Sequence, residues 1–373
     1  MQHLKKRISE FLKNAFSVRE RNLGWINLAR GIIIIMVVYR HSFEGIRNSG
    51  IDISAYRYLE VLNNMMYTFR MPLFFIISGI LMSLSLSKHG LGDYIRKRAE
   101  YILYPYVVWC VLQISLKLAV PQYVNGETSL RSYMDILYNP REIEQFWYLY
   151  ALFNIMAVYS ILKVKYKLDT RIHVALAMVF FLVAQYTFNH GIKLYFINDI
   201  LGHYIFFAVG DLISSFILDP KNREKIASVK NLLIVLPVFL VLHYYYLANP
   251  DIITKPFMLV ITFSGIAFAI LVSFLLEKTK GLQWLKVLGA NSLYIYLMHV
   301  MIMAANRIFM LNILQIESIP VVIFTNIIVG LFLPVLIYNI LMKTGFWWLF
   351  SPNKPSDLKA VYVASMNKEK QSA

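Results

Sequence analysis

Residues 24–42 read GWINLARGIIIIMVVYRHS, an apolar run that is interrupted only by short polar side chains, two arginines and a histidine. A helix that crosses a bilayer needs roughly 17–25 mostly apolar residues, so this stretch is long enough to span a membrane once. Stretches of similar character follow at 71–87, 99–118, 146–162, 172–190, 200–218, 231–248, 256–276, 287–309 and 320–342. The sequence therefore predicts an all-α fold, a polytopic transmembrane helix bundle of about ten spans.

The composition of the 373-residue chain supports a membrane protein. Hydrophobic residues make up 58% and charged residues only 16% of the chain, against about 25% charged residues in an ordinary soluble domain. The net charge is +16, which we attribute to loops that face anionic lipid and the cytoplasm, with no nucleic-acid partner expected. Because Cys110 is the only cysteine, we predict neither a disulfide nor a metal site.

The distribution of Lys and Arg predicts the orientation of the bundle. Basic residues are concentrated in alternate connections, beginning with the N-terminal segment. By the positive-inside rule both termini are expected to be cytoplasmic, which an even number of spans also requires. We predict a basic amphipathic segment at 1–23, a single membrane domain at 24–342 and a polar cytoplasmic tail at 343–373. The outer connection 43–70 has apolar residues at helical spacing, so we predict an interfacial helix there.

Arg30 and His41 lie in the first span and are 11 residues apart. At 100° per residue their side chains leave the same helix face, about 16 Å apart along the axis. Arg30 then lies in the inner half of the membrane and His41 near the outer end. Each residue also has a simpler interpretation, since an arginine can extend to the headgroups and a histidine can lie at the interface.

Three further groups of residues stand out along the next spans. Arg70 precedes the second span at the predicted level of His41, while Ser78 and Gly79 form a small surface that suits either helix packing or a thin ligand. Arg96 and Arg98 precede the third span, where they are either inner-face anchors or a clamp for phosphates.

The later spans add four candidates. Trp147 begins the fourth span and fits an outer aromatic belt. Asp211 lies within the sixth span, where a carboxylate needs a partner such as Arg30. Tyr296 and His299 share one face of the ninth span with Ser292, and His299 is about 20 Å from the inner end, in the outer half.

Five motifs in order resemble the acyltransferase-3 family of integral membrane acyltransferases, particularly its fucose 4-O-acetylase-like and surface-polysaccharide O-acetyltransferase branch. They are the R-x10-H pair of Arg30 and His41, FRMPLFFIISG at 69–79, YIRKRAEYILYPY at 94–106, FWYLYALF at 146–153 and NSLYIYLMH at 291–299. The chain departs from the family at two positions. The family often has a small residue where Arg40 stands, and this branch often has histidine where Arg70 stands.

The resemblance implies a ten-span enzyme of the cell membrane. It would move an acyl group, usually acetyl, from cytoplasmic acyl-CoA to a sugar hydroxyl of a cell-surface or lipid-linked glycan. Arg30 and His41 match the pair that is essential in the family, and Arg96 and Arg98 match its basic motif.

The residues themselves suit that chemistry. Arg96, Arg98 and Arg30 offer cations for the phosphates of CoA, whose thin arm would pass Ser78 and Gly79. Neutral His41 would act as general base on the sugar hydroxyl. The remaining site candidates would contact the substrate, donate to the oxyanion or orient the imidazole: Arg70, Ser78, Tyr296, Trp147, His299, Asp211, Glu44 and Glu144.

Two other functions fit parts of the pattern. Ten spans with charged residues at membrane depth also suit a transporter or flippase of a glycan or lipid-linked sugar. Against it, the sequence has no internal repeat and no matching pair of broken spans. A membrane scaffold or sensor would leave the shared face of Arg30 and His41 unexplained.

Overall fold

The computed structural model describes residues 15–16, 24–88, 90–123, 128–249, 254–279 and 281–354. These residues form helices and connecting turns, with no β-strand in the ranges given. Apart from residues 15–16, the amphipathic helix that we predict at 1–23 lies outside the described residues, as does the tail beyond residue 354.

Sixteen α-helices make up the described part of the chain. They are α1 (Gly24–Arg47), α2 (Arg57–Tyr67), α3 (Arg70–Leu86), α4 (Leu91–Arg98), α5 (Tyr104–Ala119), α6 (Ser132–Asp135), α7 (Trp147–Val164), α8 (Thr170–Asn189), α9 (Phe196–Leu212), α10 (Ser214–Leu218), α11 (Pro220–Ile226), α12 (Val229–Ala248), α13 (Lys255–Glu277), α14 (Gln283–Ala290), α15 (Ser292–Ile308) and α16 (Ile319–Lys343). A π-helical turn at Ala99–Leu103 joins α4 to α5, and another at Phe309–Ile313 extends α15. The helix that we predict within 43–70 is present as α2, and its location at the outer interface stays a prediction.

Nine helical segments of the described chain are long and apolar enough to cross a membrane. The sixth predicted span, 200–218, is not one of these nine and is divided at Ile213 between α9 and α10. Helix α9 has 17 residues, at the lower limit of the length that spans the hydrocarbon core. The predicted fold class, an all-α polytopic membrane bundle, is confirmed.

Glycines bring two pairs of helices into backbone contact. A Cβ atom on Gly79 of α3 would lie 2.1 Å from the carbonyl oxygen of Phe207 in α9, and one on Gly210 would lie 2.3 Å from that of Ile76. In the same way, a Cβ on Gly289 of α14 would lie 1.7 Å from the carbonyl oxygen of Asn27 in α1. No larger residue fits at these crossings unless the helices move apart.

Candidate active site

A cavity of about 1210 Å³ opens at the end of the bundle where α1 ends and α3 begins. The 3₁₀ segment Pro140–Phe146 and helices α8, α9 and α15 complete its walls. The cavity brings together six of the site candidates that we predict from sequence: His41, Glu44, Arg70, Glu144, Trp147 and Tyr296. These residues come from four separate spans and their connections, so the bundle unites what the sequence separates.

His41 lies at the cavity wall with its ring against that of His299. The two ring centroids are 5.1 Å apart and the rings meet edge to face. The Nδ1 atom of His299 lies 2.9 Å from the carbonyl oxygens of both Ile295 and Tyr296. Carbonyl oxygens only accept hydrogen bonds, so we assign the His299 hydrogen to Nδ1. The buried Nε2 atom of His299 is then an acceptor, and it has no partner among the described residues.

The carboxylates that we expected to orient His41 bind other partners. Glu44 lies 3.4 Å from Arg40, and its Oε1 accepts a long hydrogen bond of 3.5 Å from Asn63. Glu144 lies 2.7 Å from the Lys117 ammonium and also accepts from Gln113. Each carboxylate has a cation within reach, which satisfies its charge without the imidazole. The residue against the His41 ring is therefore His299 and not an acid.

Glu144 adopts a backbone conformation that is unusual for a residue with a side chain. Its φ is 54° and its ψ is −116°, and such conformations are costly and concentrate at functional sites. The turn is held by the next residue, because the Tyr296 hydroxyl donates to the Gln145 carbonyl and the Gln145 amide donates to Gln113. Tyr296 therefore ties α15 to the segment that carries Glu144.

The three candidate oxyanion donors differ in what they already bind. The Ser78 hydroxyl donates to the carbonyl of Phe74 at 2.8 Å, and the Tyr296 hydroxyl is committed to Gln145. Arg70 is only 4% exposed, yet its Nη1 atom has no hydrogen-bond partner in the described chain. Of the three, Arg70 is the residue with a donor left over.

The structure adds cavity residues that we did not predict. Arg141 donates to Asp199 through Nε at 2.8 Å, and its guanidinium lies 4.4 Å from the centroid of the Trp147 ring. The ring of His203 packs against Trp147 as well, with centroids 5.1 Å apart. His203 was detectable as a histidine within a span, like His41. Arg141 and Asp199 lie in a loop segment and at a helix start, where no periodicity marks them.

Arg30 and Arg98 both lie toward the other end of the bundle from His41. Arg98 and the phenol of Tyr148 are within electrostatic range of the Arg30 guanidinium. Arg98 donates to Ser85 at 2.8 Å, while its buried Nε has no partner in the described ranges. Arg96 is instead largely exposed and pairs with Asp93 at 3.0 Å and Glu100 at 3.8 Å on its own helical surface. The predicted basic clamp is thus divided between Arg98, which is half-buried, and Arg96, which is exposed.

Asp211 is paired with Lys163 and not with Arg30. Tyr159 and Thr170 also donate to its carboxylate, at 2.7 Å and 3.0 Å. The ends of α7 and α9 meet the start of α8 here, so a lysine from a predicted inner connection reaches the acid. A buried carboxylate with three donors is fully compensated. We assign Asp211 to the packing of these helix ends.

Gly79 also serves packing in this structure. It faces the backbone of Phe207 at the crossing of α3 and α9, so the space beside it is already filled by α9. Ser78 is buried and bonded within its own helix. The packing interpretation of these two residues accounts for both observations.

Comparison with known proteins agrees with the resemblance of the motifs. The family model described as "Acyltransferase domain" matches residues 23–340. The chain therefore belongs to the acyltransferase-3 family, and its apolar helices are those of a multi-pass membrane protein.

Two curated relatives share part of the sequence. Nodulation protein NolL of Mesorhizobium japonicum is 30% identical over 127 residues, and NolL of Sinorhizobium fredii is 30% identical over 126 residues. Each match covers 34% of this chain and 32% of the relative, so the chain covers about a third of the length of these relatives. No solved structure matches the chain.

Proposed function

We propose that this protein transfers an acyl group, most simply acetyl, from cytoplasmic acyl-CoA to a sugar hydroxyl of a cell-surface or lipid-linked glycan. It would act as a multi-pass enzyme of the cell membrane. The observation that carries the proposal is the position of His41, which lines a large cavity that also has charged residues in its wall and has its ring against His299. Family membership supports the acyl transfer, and the donor and acceptor are our inference.

The acceptor chemistry requires a base at the cavity. A sugar hydroxyl is a weak nucleophile at neutral pH, and a histidine is the side chain best suited to remove its proton. In direct transfer, His41 accepts the hydroxyl proton as the sugar oxygen attacks the thioester carbonyl. The C–S bond then breaks, and the sulfur of CoA takes up the proton that His41 held. CoA therefore leaves as the free thiol, and His41 is neutral again. A cavity of about 1210 Å³ exceeds the roughly 300–1,000 Å³ of a typical small-molecule site, so a sugar with part of its glycan can enter.

Binding of the CoA donor requires cationic residues at the opposite end of the bundle from His41. CoA carries several phosphate charges that are excluded from lipid, and arginine binds phosphate through paired donors. Arg98 acts electrostatically on Arg30, and the buried Nε of Arg98 has no partner in the described part of the chain. Because 11 residues separate Arg30 from His41 on one helix face, the two ends of the reaction are about 16 Å apart.

The direct test is to measure which O-acyl groups the cell's glycans carry with and without this protein. Mass spectrometry would compare the surface and lipid-linked glycans of a wild-type strain with those of a deletion strain and of a strain complemented with the gene. We expect O-acyl groups to disappear on deletion and to return on complementation, while the glycans are still exported. Lost export with unchanged O-acylation would contradict the proposal and favour a transporter. The mass of the lost group identifies it as acetyl or another acyl.

A further inference from the structure

Arg70 is a buried cation that the described residues leave without an acid. It lies at the start of α3 in the cavity wall and is 4% exposed. No ion pair of 4.0 Å or less joins it to a carboxylate in the described chain, and its Nη1 atom has no hydrogen-bond partner there. An unpaired arginine at such depth in a membrane protein is costly. Its retention in a cavity wall points to a ligand that supplies the missing charge.

The charges of the cavity wall are unequal. Six basic residues line it: Arg40, Arg70, Lys117, Arg141, Lys193 and Arg307. Four acidic residues line it: Glu44, Glu142, Glu144 and Asp199. Ion pairs match three of these acids with three of the bases, as Arg40–Glu44, Lys117–Glu144 and Arg141–Asp199. Glu142 bonds to the Asn139 amide, so Arg70, Lys193 and Arg307 remain without a carboxylate in the described wall.

Two of these unmatched cations, Arg70 and Arg307, lie around the end of α1 that carries His41. The guanidinium groups of Arg40 and Arg70 each lie 5.1 Å from the centroid of the Tyr67 ring. Arg307 is 8% exposed and donates to the backbone carbonyl of Gly45, one turn beyond His41. Glu44 acts electrostatically on Arg70, but its ion pair is with Arg40. Arg70 and His41 line the same cavity, so an anion bound by Arg70 would share that cavity with the proposed base.

We propose that Arg70 binds an oxyanion carried by the acceptor, either a sugar carboxylate or a phosphate ester, so that the acceptor is an acidic glycan. Guanidinium presents paired N–H donors that fit both groups. The inference rests on the proposed function, because it assigns the class of acceptor. The alternative is that Arg70 donates only to the oxyanion of the reaction intermediate. The two differ because an acceptor site acts on binding in the ground state, whereas an oxyanion donor acts on the transition state.

Binding of small probes tests the site without any donor. Calorimetry with the full-length protein in detergent would compare methyl β-glucuronide, glucose 1-phosphate and the neutral methyl β-glucoside. We expect at least one anionic probe to bind about tenfold to a hundredfold more tightly than the glucoside, as for a hydrogen bond to a charged group. The tighter anionic probe identifies carboxylate or phosphate. Equal binding of all three probes would overturn the proposal.

Variants separate Arg70 from general effects. We expect Arg70→Gln to remove the preference for the anionic probe and Arg70→Lys to retain part of it, with binding of the glucoside unchanged. Arg57→Gln replaces an exposed arginine of α2 and is expected to keep the wild-type preference. An anionic preference that survives in Arg70→Gln would overturn the proposal. Thermal unfolding of each variant shows that the fold is intact.

Acetyl transfer to the same probes from acetyl-CoA distinguishes this inference from the proposed function. We expect Arg70→Gln to raise the KM for the anionic acceptor about tenfold or more with little change in kcat. A fall in kcat for charged and neutral acceptors alike would assign Arg70 to the intermediate and overturn the acceptor site. Binding that depends on Arg70, with no transfer to any acceptor, would leave the anion site standing and contradict the acyltransferase proposal.

Discussion

The two ends of the helix bundle are packed in opposite ways, although the same helices form both. At one end, Gly31 of α1 meets α14 and Gly79 of α3 meets α9 with backbone atoms in contact. At the other end, α1 and α3 carry His41 and Arg70 into the wall of a cavity of about 1210 Å³. Nine or ten residues separate the contact from the cavity on each helix, about 13–15 Å at 1.5 Å per residue.

This difference shows how a membrane enzyme can combine a rigid frame with an open site. Small residues allow close approach, and close-packed backbones have little freedom to shift. The crossings therefore set where the far ends of α1 and α3 lie. The long and charged side chains at those ends then surround a space that they do not fill. A site carried on firmly packed helices holds its reacting groups in position.

The largest effect is expected at the open end, from His41→Ala. Loss of a general base typically slows a reaction about 10²–10⁴-fold, so acyl transfer should fall to that extent or below detection. The measurement is acetyl transfer from labelled acetyl-CoA by purified protein in proteoliposomes. His190→Ala is the matched control, because His190 is an exposed histidine at the end of α8. If His41→Ala retains transfer while its thermal unfolding matches the wild type, His41 is not the base.

The next effect is expected at the closed end, from Gly79→Ala. The added Cβ would meet the Phe207 carbonyl at 2.1 Å, so α3 and α9 must separate, and overpacking of this kind costs about 1–3 kcal/mol. Thermal unfolding in detergent should therefore occur at a lower temperature. Gly92→Ala is the control, since no atom lies within 4 Å of a Cβ there and alanine favours a helix. Equal unfolding temperatures for Gly79→Ala and the wild type would refute the close crossing.

A smaller effect on activity is expected from substitution of Arg96 or Arg98 in the basic motif. Comparing the two variants tests which arginine binds the donor. Arg98→Gln should raise the KM for acetyl-CoA about tenfold, because the buried Nε of Arg98 has no partner among the described residues and Arg98 acts electrostatically on Arg30. Arg96→Gln should change the KM by about twofold or less, because the exposed pairs of Arg96 contribute little. Steady-state kinetics of both variants measure this. A larger rise in the KM for Arg96→Gln than for Arg98→Gln would instead place the phosphates of the donor at the exposed helical surface that carries Arg96.

Much of the fold follows from local sequence, and part of the site does too. Lipid requires apolar segments of a set length with their backbone bonds satisfied internally, so the spans are visible as runs. Polar residues within or next to those runs are conspicuous, so the sequence alone identifies His41, Arg70 and Tyr296 as site candidates. His203 is likewise a polar residue within a predicted span. The split at Ile213 was not visible, because the apolar character continues across it.

The sequence alone determined that this protein is a helical membrane bundle with the motifs of the acyltransferase-3 family. It did so because span length and motif order are properties of neighbouring residues. Only the tertiary structure decided which charges and rings meet: Asp211 with Lys163, Glu44 with Arg40, His41 with His299. Of these, Glu44 and Arg40 are one helical turn apart, but His41 is also within one turn of Glu44. The sequence therefore left two possible partners for Glu44, and only the positions of the side chains show which one it binds. The other two pairs join different helices, whose relative rotation and spacing depend on tertiary packing and leave no periodic trace in the chain.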